Sequence, residues 1–382
     1  MDEAYFLRKF DEYERNDSWD QVFHKINVES ENQTKKLSLC CDLSNTFHEK
    51  NRYRNVLPYD QNRIMLRCGV SSESDSYINA SPLHLPFAHR NYILTQGPLP
   101  NTTCDFWQMI FEQEVSICIM LSKVMEKSFV KCHSYFPSKD EKKIAFNNWE
   151  CELEHEESKP NYIIRRIRLT RLENQGEKQR NSPPKEQATD NAGKERNSRI
   201  IHHFQFTTWP DFGVPVHTDH FLNFLEEVRN AREKLPEPGS EAGTAGPDSP
   251  IVCHCSAGIG RTGTFVIVDS ILSMFERKWK GQQVEEGEKN GTENDERERA
   301  DRTVDEKMDS LEALVVFIRR HRMGLIQTPQ QLRFCWKTIV DWLVKNEKKE
   351  EKGKEEKQSP AKIATELNHI NEENWQIIDK CV

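Results

Sequence analysis

Apolar residues recur at helical spacing in several parts of the chain. Phe221, Phe224, Leu225 and Val228 do so after Thr218, and Leu311, Leu314, Val315 and Ile318 do so again, which predicts two amphipathic helices. Thr328-Pro329-Gln330-Gln331 has the order of a capping box with proline at the first helical position, so a further helix is expected to bury Leu332, Cys335, Trp336, Ile339 and Leu343. Short β-rich runs, Tyr92–Thr95, Val115–Leu121, Tyr162–Leu169 and His202–Thr207, interleave with these helices. Such alternation predicts an α/β layered domain.

The same pattern marks where the chain has little to bury. From Glu173 to Arg199 the only apolar residues are Ala188 and Ala192, from Gly281 to Thr303 only Val284 and Ala300, and Lys345 to Pro360 has none. Stretches of that kind do not order themselves. What remains of residues 1–345 could form one large domain or two small ones, with polar insertions at 173–199 and 281–303, a connector at Leu235–Pro250 and a charged tail from 346 to 382. This dilution explains why a chain of 382 residues is only 36% hydrophobic and 30% charged. No apolar run approaches the roughly 20 residues of a membrane span. The acidic start, Met1-Asp-Glu-Ala-Tyr5, lacks a secretory pattern, and 11 cysteines scattered through apolar contexts favour a reducing compartment, so the cytoplasm is expected. A net charge of -8 argues against general nucleic-acid binding.

The chemistry concentrates in Pro250–Phe265, where a β-branched strand runs into a loop of small residues and then an apolar helix from about Arg261. Small residues let backbone N–H groups turn inward around an anion, and the helix N-terminus adds its partial positive charge at the same place. Arg261 contributes a planar bidentate donor suited to phosphate oxygens. A free cysteine is only a few per cent thiolate at neutral pH, and these neighbours favour the anion, making Cys255 a nucleophile aimed at phosphorus. Three rival readings fare worse. A nucleotide-binding loop needs Lys and Ser/Thr after its last glycine, where Gly263 is followed by Thr264 and Phe265. A zinc site needs a second ligand pair to complement Cys253, His254 and Cys255, and none stands out. A buried structural cysteine does not explain an arginine at the helix start.

His254-Cys-Ser-Ala-Gly-Ile-Gly-Arg-Thr-Gly263 resembles the signature loop of the protein tyrosine phosphatases. Further motifs follow that family's order: Lys50–Arg54, Tyr77–Ser81, Gln96–Pro98, Val124–Lys127 with Lys131-Cys132, Trp209–Gly213 and Gln327–Gln331. The runs Tyr92–Thr102, Thr207–Pro215 and Arg322–Thr328 are most similar to the non-receptor type 1 and T-cell phosphatase subfamily. The resemblance implies a single domain with a twisted mixed sheet flanked by helices and the signature loop between a strand and a helix. It also implies hydrolysis of protein phosphotyrosine through a cysteinyl-phosphate.

By that resemblance Cys255 is the nucleophile, Arg261 and the amides of Ser256, Ala257, Gly258, Ile259 and Gly260 hold the phosphate, and Thr262 helps the thiolate leave. Asp211 is the general acid. An ordinary aspartate is ionised at neutral pH, so burial beside Phe212 and Trp209 and the substrate's own charge are expected to favour its protonated form. Gln327 positions the hydrolytic water with Gln331 beside it, although Gln331 alone reads as a capping residue. Tyr53 and Phe212 sandwich the phenyl ring, and a cradle that deep excludes phosphoserine. Glu126 orients Arg261, Lys131 belongs to the neighbouring loop and His254 supports the cysteine. No metal or cofactor is implied, and the protein is expected to be a monomer. Receptor and Janus-type tyrosine kinases are the substrates the resemblance implies, with negative regulation of their signalling.

Some positions depart from the family pattern. Asn55 stands where close relatives carry an aspartate for the substrate backbone, so weaker peptide anchoring is expected. Gly324 is expected to keep a second phosphate pocket open with Arg319 available to it, but Asn27 replaces its basic partner. Cys253 reads as a strand residue, with a resolving thiol for oxidised Cys255 as the alternative. A catalytically weak phosphotyrosine-binding module usually loses the Cys, Asp or Arg, and here all three stand. A scaffold built on the charged insertions is a further alternative.

Overall fold

The computed structural model describes residues 1–67, 69, 71–172, 197–211, 213–236, 246–281 and 309–347. Eight strands form one mixed sheet: β1 (Ala80–Leu85), β2 (Arg90–Thr95), β3 (Ile117–Met120), β6 (Lys143–Phe146), β7 (Trp149–Ser158), β8 (Tyr162–Arg171), β9 (Ser198–Phe206) and β10 (Ile251–His254), in the order β1-β2-β10-β3-β9-β8-β7-β6. The small strands β4 (Met125–Glu126) and β5 (Phe129–Val130) form a separate hairpin. The four central strands run parallel and the flanking pairs antiparallel.

β10 carries the site and lies in the middle, between β2 and β3. A parallel strand covered on both faces is largely apolar, and each residue from Ile251 to His254 is buried, His254 being its one polar member. Alternation sends Ile251 and Cys253 to one side and Val252 to the other. The first side is packed by Thr218–Glu233, Gly260–Trp279, Leu311–Arg319 and a helix at 329–347, and the N-terminal helices Glu3–Arg15 and Trp19–Lys36 join it through Phe6, Trp19, Val22 and Ile26. The second is packed by Thr103–Glu112 through Phe106, Trp107, Met109 and Ile110. No helix among the described residues is long and apolar enough to cross a membrane.

The predicted helices and strands overlap observed ones, though β3 takes only Ile117–Met120 of the run Val115–Leu121 and β9 stops at Phe206, one residue short of Thr207. Two further expectations need correction. β9 begins at Ser198, so the last residues of the expected insertion belong to the sheet, where Ser198 and Arg199 pair with Thr170 and Leu169. Backbone pairing needs no apolar side chain, and Arg199 lies 4.8 Å over the Phe111 ring while bonding Glu114. Gln331 does not close a capping box. Its N–H donates to Thr328 Oγ1 at 3.2 Å, but its side-chain oxygen accepts from the Gln327 N–H at 2.8 Å rather than from Thr328. Residues 173–196, 282–308 and 348–382, and most of the Leu235–Pro250 connector, lie outside the described residues.

Candidate active site

β10 ends at His254, the helix begins at Gly260, and the turn between them encloses the Cys255 sulfur. The Gly258 N–H points at Sγ from 3.3 Å and the Thr262 hydroxyl donates to it from 3.4 Å. Gly258 has φ +74°, and a Cβ there would run into the Thr95 carbonyl, so only glycine lets this amide face the sulfur. The loop's carbonyls point the other way because a buried cation collects them. Arg322 is fully buried and donates to Gly258 O at 2.8 Å and Ala257 O at 3.0 Å, with Asn79 Oδ1 at 2.8 Å. Burial pushes its guanidinium down to about 10, still far above neutrality. The sequence reading missed Arg322, although it stands in a run that carried the resemblance.

Arg261 lies at the first turn of the helix. It donates to both Glu126 oxygens at 2.7 and 2.8 Å, to Leu121 O at 3.0 Å and to Pro210 O at 3.2 Å. Burial alone would raise the Glu126 carboxyl, but the hydrogen bonds and charge of Arg261 outweigh it and hold that carboxyl below its usual range. The bond to Pro210 ties Arg261 to the segment bearing Asp211, and Trp209 lies beneath the guanidinium, 5.8 Å from its ring centre, with its own N–H donated to Gly213 O.

Asp211 opens onto the same cleft as Cys255, Arg261, Tyr53, Asn55, Lys131, Gln327 and Gln331, a space of about 380 Å³. The Asp211 side chain is 24% exposed, and its Oδ2 is 3.6 Å from Lys127 Nζ on the β4–β5 turn. Phe212 lies outside the described residues. The lysine paired with the acid is thus Lys127, whereas Lys131 sits over the Phe129 ring and gives its carbonyl to the Ser256 hydroxyl at 2.9 Å. Gln327 is close to the loop, since a Cβ on Gly260 would meet its Oε1 at 2.5 Å.

Tyr53 forms one wall, with its hydroxyl 2.9 Å from Ser256 Oγ. Its neighbours hold it there: the Arg52 N–H donates to Gln96 Oε1 at 2.8 Å, the Arg52 guanidinium to Gly97 O at 2.9 Å, and Asn51 Oδ1 accepts from Tyr77 and Asn79. Motifs far apart in sequence therefore brace one another. His254 is fully buried and hydrogen-bonds its own strand's continuation, Nδ1 to Cys255 O at 3.0 Å. Cys253 is fully buried in β10, and that burial pushes its thiol well up.

The second pocket beside Gly324 exists and is lined by Arg319, whose guanidinium is already engaged there. That guanidinium donates to Leu325 O, Ile326 O and Asn27 Oδ1, each at 2.7 Å. The neutral Asn27 accepts a bond from this arginine, the Ser30 hydroxyl accepts another at 3.3 Å, and the two backbone carbonyls take one each.

Comparison with known proteins agrees with this geometry. The protein-tyrosine phosphatase family model matches residues 47–288. Tyrosine-protein phosphatase non-receptor type 2 of Rattus norvegicus is 36% identical over 337 residues, 87% of this chain and 64% of that protein. Tyrosine-protein phosphatase non-receptor type 61F of Drosophila melanogaster is 34% identical over 333 residues, 86% of this chain and 49% of that one. Receptor-type tyrosine-protein phosphatase eta of Mus musculus is 32% identical over 292 residues, 76% of this chain and 19% of the receptor. The chain thus spans less than two thirds of the length of these relatives. Its sheet, its cysteine loop and the family match together identify it as a member of the protein-tyrosine phosphatase family.

Proposed function

We propose that the protein hydrolyses phosphotyrosine in proteins by two phosphoryl transfers. The Cys255 thiolate attacks phosphorus, the bond to the phenolic oxygen breaks, and Asp211 gives that oxygen its proton. Water held by Gln327 then attacks the cysteinyl-phosphate while Asp211 takes up a proton, the sulfur leaves as thiolate assisted by Thr262, and phosphate departs. The loop amides and Arg261 stabilise the charge on the equatorial oxygens in both steps. The observation that carries this reading is the Cys255 sulfur facing the Gly258 amide and the Thr262 hydroxyl beside an arginine locked by Glu126.

Tyrosine specificity follows from Tyr53, whose ring stands at the mouth while Cys255 lies buried at the base. A phosphoserine is too short to span that depth. Kinases of the receptor and Janus types are proposed as substrates from the resemblance alone. A cytoplasmic, monomeric enzyme is proposed as well, and the free thiols of the described cysteines suit a reducing compartment. We place the catalytic domain at residues 1–345, since the helices at both ends of that range share one core. Hydrolysis of an aryl phosphate and of a phosphotyrosyl peptide, but not of the matching phosphoseryl peptide, is the expected result. An inert wild-type protein, or equal turnover of both peptides, refutes the reading.

A further inference from the structure

Behind the cysteine, a line of buried polar side chains links three strands of the sheet, β8, β9 and β10, past the intervening β3. Arg165 on β8 places its Nη1 3.4 Å from His203 Nδ1 on β9. His203 Nε2 lies 2.8 Å from the Tyr135 hydroxyl, and the same hydroxyl lies 2.7 Å from His254 Nε2 on β10. His254 Nδ1 faces Cys255 O. His203, Tyr135 and His254 are all fully buried.

The chemistry of the two ends decides where every proton sits. A guanidinium has only donors, so His203 Nδ1 must accept and its Nε2 must carry the hydrogen. That N–H donates to the Tyr135 oxygen, which leaves the Tyr135 proton for His254 Nε2. His254 must then carry its hydrogen on Nδ1. At the far end a carbonyl can only accept, and an Nδ1–H is what it requires. The two ends agree, and the bonds run in one direction from Arg165 to the backbone of Cys255. Burial supports neutral rings: it pushes His254 down to about 4 and His203 well down, with Arg165 lowering His203 further.

We infer that Arg165 and His203 are positioning residues which, through Tyr135, fix the Nδ1–H tautomer of His254 and so hold the Cys255 carbonyl away from its own sulfur. With the carbonyl engaged behind the loop, Sγ meets the donors Gly258 N–H and Thr262 Oγ1 and not a competing acceptor. Arg165 is itself fixed. It donates to Glu156 at 2.8 Å and to Gln205 Oε1 at 2.9 Å, and its guanidinium lies 4.4 Å over the Phe136 ring. The Cys118 thiol, 3.7 Å from the Tyr135 hydroxyl, leaves this polarity unchanged because the oxygen has a second lone pair to receive it.

The inference rests on Cys255 being the nucleophile, and its test separates the two claims. Long-range proton–nitrogen NMR of the imidazoles in the full chain, with His254→Gln and His203→Gln used for assignment, should show His254 protonated on Nδ1 and His203 on Nε2. The rate at which iodoacetate alkylates Cys255, read by mass spectrometry of its peptide across pH, should then respond to the relay. Tyr135→Phe, which removes one oxygen and keeps the packing, and His203→Phe should each slow alkylation about tenfold on the acid limb, a displacement of about one pH unit. His203→Gln, whose amide can donate to Tyr135, should stay near wild type. An Nε2–H tautomer at His254, an unmoved limb in Tyr135→Phe, or equal displacement in His203→Gln and His203→Phe overturns the relay while leaving the phosphatase reading intact. A wild-type Cys255 no more reactive than an ordinary thiol overturns both.

Discussion

Arg261 and Glu126 meet as a two-pronged pair, with nitrogen-to-oxygen distances of 2.7 and 2.8 Å. The carboxylate side chain is 2% exposed and comes from the β4–β5 hairpin, not from the loop it serves. Paired forks fix the plane of a guanidinium as well as its position, which a single contact cannot do. Arg261 is thereby presented to the phosphate already oriented.

Glu126→Ala should therefore lower kcat for an aryl phosphate by about 100-fold, the size of loss expected when a phosphate-holding group swings out of place. Glu126→Gln, which keeps one acceptor, should fall between that variant and wild type. Steady-state kinetics decide the matter, and an undiminished kcat in Glu126→Ala would show that Arg261 needs no partner.

Arg322 should prove costly to remove although it touches no substrate. Arg322→Met leaves the Gly258 and Ala257 carbonyls buried without donors, a loss of about 3 kcal/mol in urea unfolding. Arg322→Lys can satisfy one of them and should recover part of it. Equal stability of wild type and Arg322→Met contradicts the role assigned to this arginine.

The buried histidines make stability depend on pH. An ordinary imidazole titrates near 6.5, whereas His254 in the fold is held at about 4 and His203 is also held well down. Between those values the unfolded chain binds protons that the folded chain refuses, so stability falls as the pH is lowered from 6.5 towards 4. The His254 share is about 3 kcal/mol when fully developed. Urea unfolding at a series of pH values should show this slope, and His203→Gln should flatten it. A slope unchanged in His203→Gln would contradict the assignment.

Peptide recognition should be modest. Asn55 opens onto the cleft without a charge, so Asn55→Asp should lower the KM for phosphopeptides while leaving kcat for a small aryl phosphate alone. Because Arg319 already bonds Asn27, Ser30 and two carbonyls, and no second basic residue joins it at position 27, a second phosphotyrosine should add little to kcat/KM. Parallel assays of singly and doubly phosphorylated peptides check the latter, and a clear preference for the doubly phosphorylated one would count against it.

The cysteine loop was legible in the sequence because its chemistry is local: a strand, small residues and a helix start supply Cys255, the amides and Arg261 within one segment. The central strand β3 was equally plain, being apolar and buried throughout. The β6–β7 hairpin was missed, although Trp149, Cys151 and Leu153 alternate with glutamates in the two-residue period of a half-buried strand; the run is short and dominated by charge. Nor were Arg322, Lys127 and Tyr135 singled out. A lone arginine, lysine or tyrosine carries no pattern, and each acquires its role only when the fold sets it against Gly258 O, Asp211 or His254.

The covalent intermediate is the most direct test of the central claim. Gln327→Ala should slow the attack of water more than the attack of sulfur, so phosphoenzyme should build up when this variant is mixed with a phosphotyrosyl peptide and quenched in acid. Mass spectrometry should then find one phosphoryl group on the peptide containing Cys255, and none in the Cys255→Ser protein, which should also be inactive. Turnover that persists in Cys255→Ser, or a phosphoryl group carried on any other residue, would contradict the account.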